Sequence, residues 1–94
     1  MATPVPYSST PIFDEQTLPE AIRSAHTTKA GVWGLLVMLE GEVSLVFHDP
    51  RRVVEVSPGK PAPIAPQAVH HVETAGPMQM KVEFYREHPL GEAA

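Results

Sequence analysis

From Gly31 onward the hydrophobic positions follow a period of two. Trp33, Leu35, Val37 and Leu39 share one face of a predicted strand, and Val32, Leu36 and Met38 share the other. Apolar residues on both faces predict burial on both, and in so short a chain one cover is expected from a second subunit. A turn at Glu40-Gly41 leads into a second, half-exposed strand, where Val43, Leu45 and Phe47 alternate with Glu42, Ser44, Val46 and His48. Asp49-Pro50-Arg51-Arg52 has the composition of a turn. Val53, Val54 and Val56 mark the next strand, stopped by Ser57-Pro58-Gly59. Pro61, Pro63 and Pro66 make the following segment an extended edge or loop with Ile64 pointing inward. Val69 to Glu73 is a short strand and Ala75-Gly76-Pro77 a turn. The last strand places Met80, Val82 and Phe84 on one face and Lys81, Glu83 and Tyr85 on the other.

Before this block, residues 1–13 hold three Pro and a Ser-Ser-Thr run, which predicts an arm or edge strand anchored by Ile12 and Phe13. Thr17 or Leu18 ahead of Pro19, followed by Glu20, reads as a helix start. The helix should last about two turns, because its pattern fails by Thr27-Thr28. The tail from Glu87 is polar and expected to fray. Short strands separated by turn signals at ~8–12 residues predict an all-β sandwich or barrel with one short N-terminal helix. The whole chain, 1–94, is expected to be one domain with its core at about 8–86.

Composition narrows the function classes. Net charge is −4 and the basic residues are scattered, whereas nucleic-acid binding needs a basic stripe. No apolar run is long enough to span a membrane, and the first residues lack the basic and apolar regions of a signal peptide. The absence of Cys removes disulfide and thiolate chemistry and fits a cytoplasmic protein. Eleven Pro in 94 residues, against a usual ~5%, favour short strands joined by defined loops.

Five His are the main source of possible chemistry. His48 borders a turn and His88 sits in the tail, so both are read as solvated. His26 lies between the helix and the first core strand. His70 and His71 are adjacent, so on a strand they face opposite ways and only one can enter the interior. Glu83 lies inside the last strand. Two imidazoles and a carboxylate suit a first-row divalent metal with positions left for water or substrate. The competing reading makes the interior His a hydrogen-bonded core residue and pairs Glu83 with Lys81 on the wet face. Trp33 reads as core, Lys29 as an exposed loop cation and Tyr85 as either a ligand contact or a barrel-end cover.

Gly59 followed by His70 resembles the second cupin motif, G-x5-P-x-G-x2-H-x3-N, although its Pro, second Gly and Asn fall on Ala65, Gln67 and Thr74. The first motif, G-x5-H-x-H-x3,4-E-x6-G, would end at Gly41 and put its Glu at Gly34; His26 is the one His near its His positions. A fuller resemblance is to the small cupin family labelled tellurite-resistance proteins, some members of which are fused ahead of a methyltransferase. It is carried by T-P-I-F-D-E-Q-T-L-P (Thr10–Pro19), H-T-T-K-A-G-V-W-G (His26–Gly34), L-E-G (Leu39–Gly41), P-Q-A-V-H (Pro66–His70) and V-E-F-Y (Val82–Tyr85).

The resemblance implies a cupin-type double-stranded β-helix, a jelly-roll barrel, that binds a divalent transition metal (Zn first; Ni, Mn or Fe as alternatives). It puts His26 and His70 at ligand positions. Glu83 is added as the third ligand because its strand should border the cavity. The function expected is binding or sensing of a small molecule, including an oxyanion in a tellurite-type stress response, by a homodimer. A dioxygenase- or isomerase-like metalloenzyme and a metal-free dimeric interaction module are the alternatives.

Overall fold

A computed structural model of the chain describes residues 4–48 and 50–90. Its elements are β1 (Ser8–Ser9), β2 (Phe13–Asp14), α1 (Glu20–Arg23), β3 (His26–Thr27), β4 (Trp33–Glu40), β5 (Val43–Phe47), β6 (Arg52–Val56), β7 (Ala62–Ile64), β8 (Val69–Thr74) and β9 (Gln79–Tyr85). The chain is thus mostly β-structure, with one helical turn.

The strands form two antiparallel sheets. One runs β1-β9-β4-β7, with β2 also on β9; the other runs β3-β8-β5-β6. The Glu40-Gly41 turn therefore does not close a hairpin but carries the chain from one sheet to the other. Gly41 has φ +73°, and a Cβ there would collide with the Pro77 carbonyl oxygen and sit 3.1 Å from Met78 Cα. Any side chain at this corner is excluded by both conformation and space.

Alternation decides what lies between the sheets. Leu36 and Met38 from β4, Met80 and Val82 from β9 and Ile64 from β7 meet Val43, Leu45 and Phe47 from β5, Val56 from β6 and Val72 from β8. The opposite face of β4 finds cover within the single chain: Leu35 is 6% exposed, and Trp33 is cross-strand from Tyr85, itself 5% exposed. The Trp33 ring also packs on His88, with centroids 4.4 Å apart. Trp33 is consequently half-buried on the outer face and not part of the core cluster. Nor is the stretch after Glu87 loose throughout, since Pro89 is buried. Leu39 is 44% exposed because β4 shifts register against β9 between Met38 and Glu40, leaving Leu39 as the extra residue of a bulge.

The helix is shorter than its sequence pattern suggests. It starts after Pro19 as expected, but the Ser24 N–H and Oγ–H both donate to the Glu20 carbonyl, and Ser24 is already extended (φ −106°, ψ 161°). Pairing of the next residues with β8 overrides a second turn, which has little intrinsic stability at this length. The turn expected at Asp49–Arg52 is present at Pro50 and Arg51; Asp49 lies outside the described residues. The ends of the expected N-terminal arm and frayed tail, residues 1–3 and 91–94, also lie outside them.

Candidate functional site

A cavity of about 370 Å³ opens between the sheets, walled by Ile22, Val32, Leu36, Ile64, Val82 and Phe84 among others. Two His head it. His26 on β3 and His70 on β8 are directly opposite in the strand pairing, so their side chains share the inner face. Their ring centroids are 4.1 Å apart with the planes tilted by 58°. Phe47 flanks His70 from the other side, with ring centroids 6.2 Å apart. Among the described residues His70 is the one fully buried polar side chain.

Both rings are fixed by main chain. His26 Nδ1 lies 3.0 Å from the Ser24 carbonyl oxygen, and His70 Nδ1 lies 2.8 Å from the Ala68 carbonyl oxygen. Neither Nε2 has a protein partner among the described residues. Burial lowers the pKa of His70 from its ordinary 6.5; the Ala68 hydrogen bond opposes this, and the charges of His26, His48 and His71 reinforce it. Burial thus favours the neutral form of His70.

The cavity has two further polar features. Thr28 Oγ1 is buried without a hydrogen-bond partner, the one such side-chain atom among the described residues. Lys29 also lines the cavity while remaining exposed, so it belongs to the rim. Sequence reasoning passed over Thr28; the available signal was its place in the polar His26-to-Lys29 stretch leading into a core strand.

Glu83 is not brought to this pair. Val82 and Phe84 are the β9 residues that line the cavity, so Glu83 between them faces outward. There it accepts a hydrogen bond from Tyr85 Oη at 2.9 Å and pairs with Lys81 Nζ at 3.1 Å. Burial and this carboxylate push the Tyr85 phenol up to about 12. The expected trio of His26, His70 and Glu83 is therefore a pair plus a distant residue. No group of three or more His, Cys, Asp or Glu side chains converges with metal-site geometry among the described residues.

His71 points the other way from His70, as alternation requires. On the outer face of its sheet it meets His48, with Nε2 of His48 2.7 Å from Nδ1 of His71. His71 Nε2 donates to Glu73 Oε2 at 2.9 Å, and this bond holds the Glu73 carboxyl below its ordinary pKa. His48 is half-buried in this arrangement rather than simply solvated.

Fold and site together define a class: a small domain of two antiparallel sheets enclosing a cavity headed by histidines. A TehB-like domain model matches residues 8–82, and the chain belongs to that family, which is associated with tellurite resistance. The fold is similar to that of an E. coli (strain K12) protein of known crystal structure, with TM-score 0.78 and 24% identity over 88% of this chain and 90% of that chain. It is also similar to TehB from Haemophilus influenzae, with TM-score 0.78 and 26% identity over 86% of this chain but 30% of that one. The chain thus spans less than a third of TehB. No curated protein matches the sequence. No helix among the described residues is long and apolar enough to cross a membrane.

Proposed function

We propose that this chain is a cupin-type domain that captures a small ligand at a divalent transition metal held by His26 and His70. The observation that carries the reading is the state of the two rings. A carbonyl oxygen only accepts, so each Nδ1 must carry the hydrogen, and in the neutral form of either ring the lone pair stands on Nε2. Two such lone pairs at one cavity attract a cation or a hydrogen-bond donor, not a bare anion. Anchoring of Nδ1 to a backbone carbonyl is also the usual outer arrangement of a metal-ligating His. With no carboxylate grouped with them among the described residues, the imidazoles suit Zn, Ni or Fe better than Mn.

When bound, the ion supplies a positive centre with coordination positions open to ligand atoms or water. The residues of the chain do the rest. Ile22, Val32, Ile64 and Phe84 exclude water, Thr28 Oγ1 offers an unused hydroxyl, and Lys29 adds positive charge at the rim. An oxyanion fits these terms, and a role in a tellurite or oxyanion stress response belongs to the proposal through the family.

Strand order supports the cupin assignment. Counting β1 and β2 as one interrupted strand gives eight, ordered 1-8-3-6 in one sheet and 2-7-4-5 in the other, the interleaving of a double-stranded β-helix. The test is elemental analysis of untagged protein together with calorimetric titration of Zn²⁺. About one ion per chain is expected, lost in His26→Ala and His70→Ala and kept in Glu83→Gln. Wild-type protein that neither carries nor binds an ion overturns the reading, and so does equal loss in Glu83→Gln.

A further inference from the structure

Four strand edges end the two sheets, and three of them are blunted. β3 has two residues, the β1/β2 edge is two two-residue pieces separated by Pro11, and β7 has three residues with Pro63 at its centre. The fourth, β6, has five residues, Arg52-Val53-Val54-Glu55-Val56, with neither Pro nor Gly. Its outward N–H and C=O groups have no strand partner among the described residues, since β5 takes the inner side alone. Val53 is 46% exposed on it. An open edge of this length and composition is a template for another strand.

We propose that β6 pairs antiparallel with β6 of a second copy of this chain, about a twofold axis at Val53. Residue alternation limits the register to an axis at a residue, and charge pairing selects Val53. Val56 and Val54 pack on the core, so the even positions face inward and Arg51, Val53 and Glu55 face outward. Glu55 confirms its side by accepting the Ser44 hydroxyl at 2.9 Å. A twofold axis perpendicular to the sheet keeps outer faces together, so opposed residue numbers must differ by an even count. With Val53 on the axis, Val53 meets Val53 of the partner subunit, and Arg51 meets Glu55 of the partner subunit. Symmetry makes the second Arg51–Glu55 contact at the same time, so one edge complements itself in shape and charge. The two four-stranded sheets would join into one continuous sheet, leaving both cavities intact.

This interface is independent of the metal reading and differs from the outer face of β4, which the chain covers itself near Leu35. Sedimentation equilibrium of chelator-treated protein over a wide concentration range tests it, the chelator removing any bridging by ions at surface His. A dimer is expected for wild type. Val53→Lys should weaken it roughly tenfold or more, and so should Arg51→Glu and Glu55→Arg singly, because each puts like charges in contact. The double variant Arg51→Glu with Glu55→Arg should recover most of the affinity. All three positions are exposed, so circular dichroism is expected to match wild type throughout. A monomer at every concentration overturns the proposal. A dimer indifferent to Val53→Lys does so too, as does a double variant no tighter than the singles.

Discussion

Strand β8 carries two consecutive His, and each meets a second imidazole on its own side of the sheet. Inside, His70 meets His26; outside, His71 meets His48. The residue types are the same, yet the pairs differ in what their nitrogens are left to do. Outside, the Glu73 carboxylate can only accept, so His71 Nε2 carries a hydrogen. The hydrogen between His48 Nε2 and His71 Nδ1 sits on one of those two nitrogens and bonds to the other, so the three side chains satisfy one another in sequence. Inside, the carbonyls of Ser24 and Ala68 take the Nδ1 hydrogens, and neither Nε2 atom has a partner among the described residues. Proximity of two histidines is therefore not by itself a sign of a site. The sign is a lone pair kept free by an anchored ring in a cavity.

Exchanging the fates of the two pairs gives the largest expected effect. His26→Ala or His70→Ala should weaken Zn²⁺ binding by ~100-fold or more, since each removes one of two protein donors. His48→Ala and His71→Ala should leave the affinity within roughly threefold of wild type, because neither residue lines the cavity. Calorimetric titration of the four variants reads both outcomes. Equal losses from inner and outer variants would abolish the distinction.

The inner pair can also be strengthened at a position the chain leaves bare. Gly34 lines the cavity, and a Cβ there would make ordinary contacts of 3.5 Å with Ile64 Cβ and 3.6 Å with Val82 Cγ1. Gly34 is also where the first cupin motif would place its Glu. Gly34→Glu should add a carboxylate to the two imidazoles and tighten Zn²⁺ binding roughly tenfold or more. The outer pair receives nothing from this change. Unchanged or weaker binding in a folded Gly34→Glu variant would mean that Nε2 of the two rings is not where an ion sits.

Much of this was legible in the sequence, and the reasons are specific. The period-two pattern in β4, β5 and β9 is written in side chains that must face one core, and the alternation holds up to the bulge at Leu39, while Trp33 lies outside the core and Val46 is buried on the face of β5 read as exposed. The two-residue strands β1, β2 and β3 have no such pattern, being defined by the partner strand rather than by their own residues. β3 is the costliest omission for function, because its pairing with β8 is what sets His26 opposite His70. The residues alone offer His26 with either His70 or His71, and the resemblance of the His26–Gly34 and Pro66–His70 blocks to a known family singles out His70. Glu83 shows the reverse failure. Alternation along β9 puts it with Lys81 and Tyr85, away from Val82 and Phe84, so a ligand role for it runs against the pattern of its own strand. His48 reads as solvated because a residue at a strand end gains its neighbour from the register of β5 against β8, which a single chain of letters does not display.

The smallest effect lies in the loop that holds the inner pair. Gln67 sits at φ +61°, the left-handed region, at the position where the second cupin motif has Gly. Its N–H donates to the Thr28 carbonyl at 3.0 Å, and the next residue, Ala68, supplies the carbonyl that anchors His70. The loop thus ties the polar His26-to-Lys29 stretch to the start of β8 at the expense of an unfavourable backbone. A left-handed conformation costs a residue with a side chain ~1–2 kcal/mol, while Gly loses ~0.5–1 kcal/mol more than other residues on ordering. Gln67→Gly should therefore raise stability by about 0.5–1 kcal/mol, seen as a rise of a few degrees in Tm, with Zn²⁺ affinity unchanged. Higher Tm with weaker binding would show that the Gln67 side chain, rather than the backbone turn alone, holds His70 in place. A lower Tm would show that the loop is not strained, and that the ordering of the inner pair has another source.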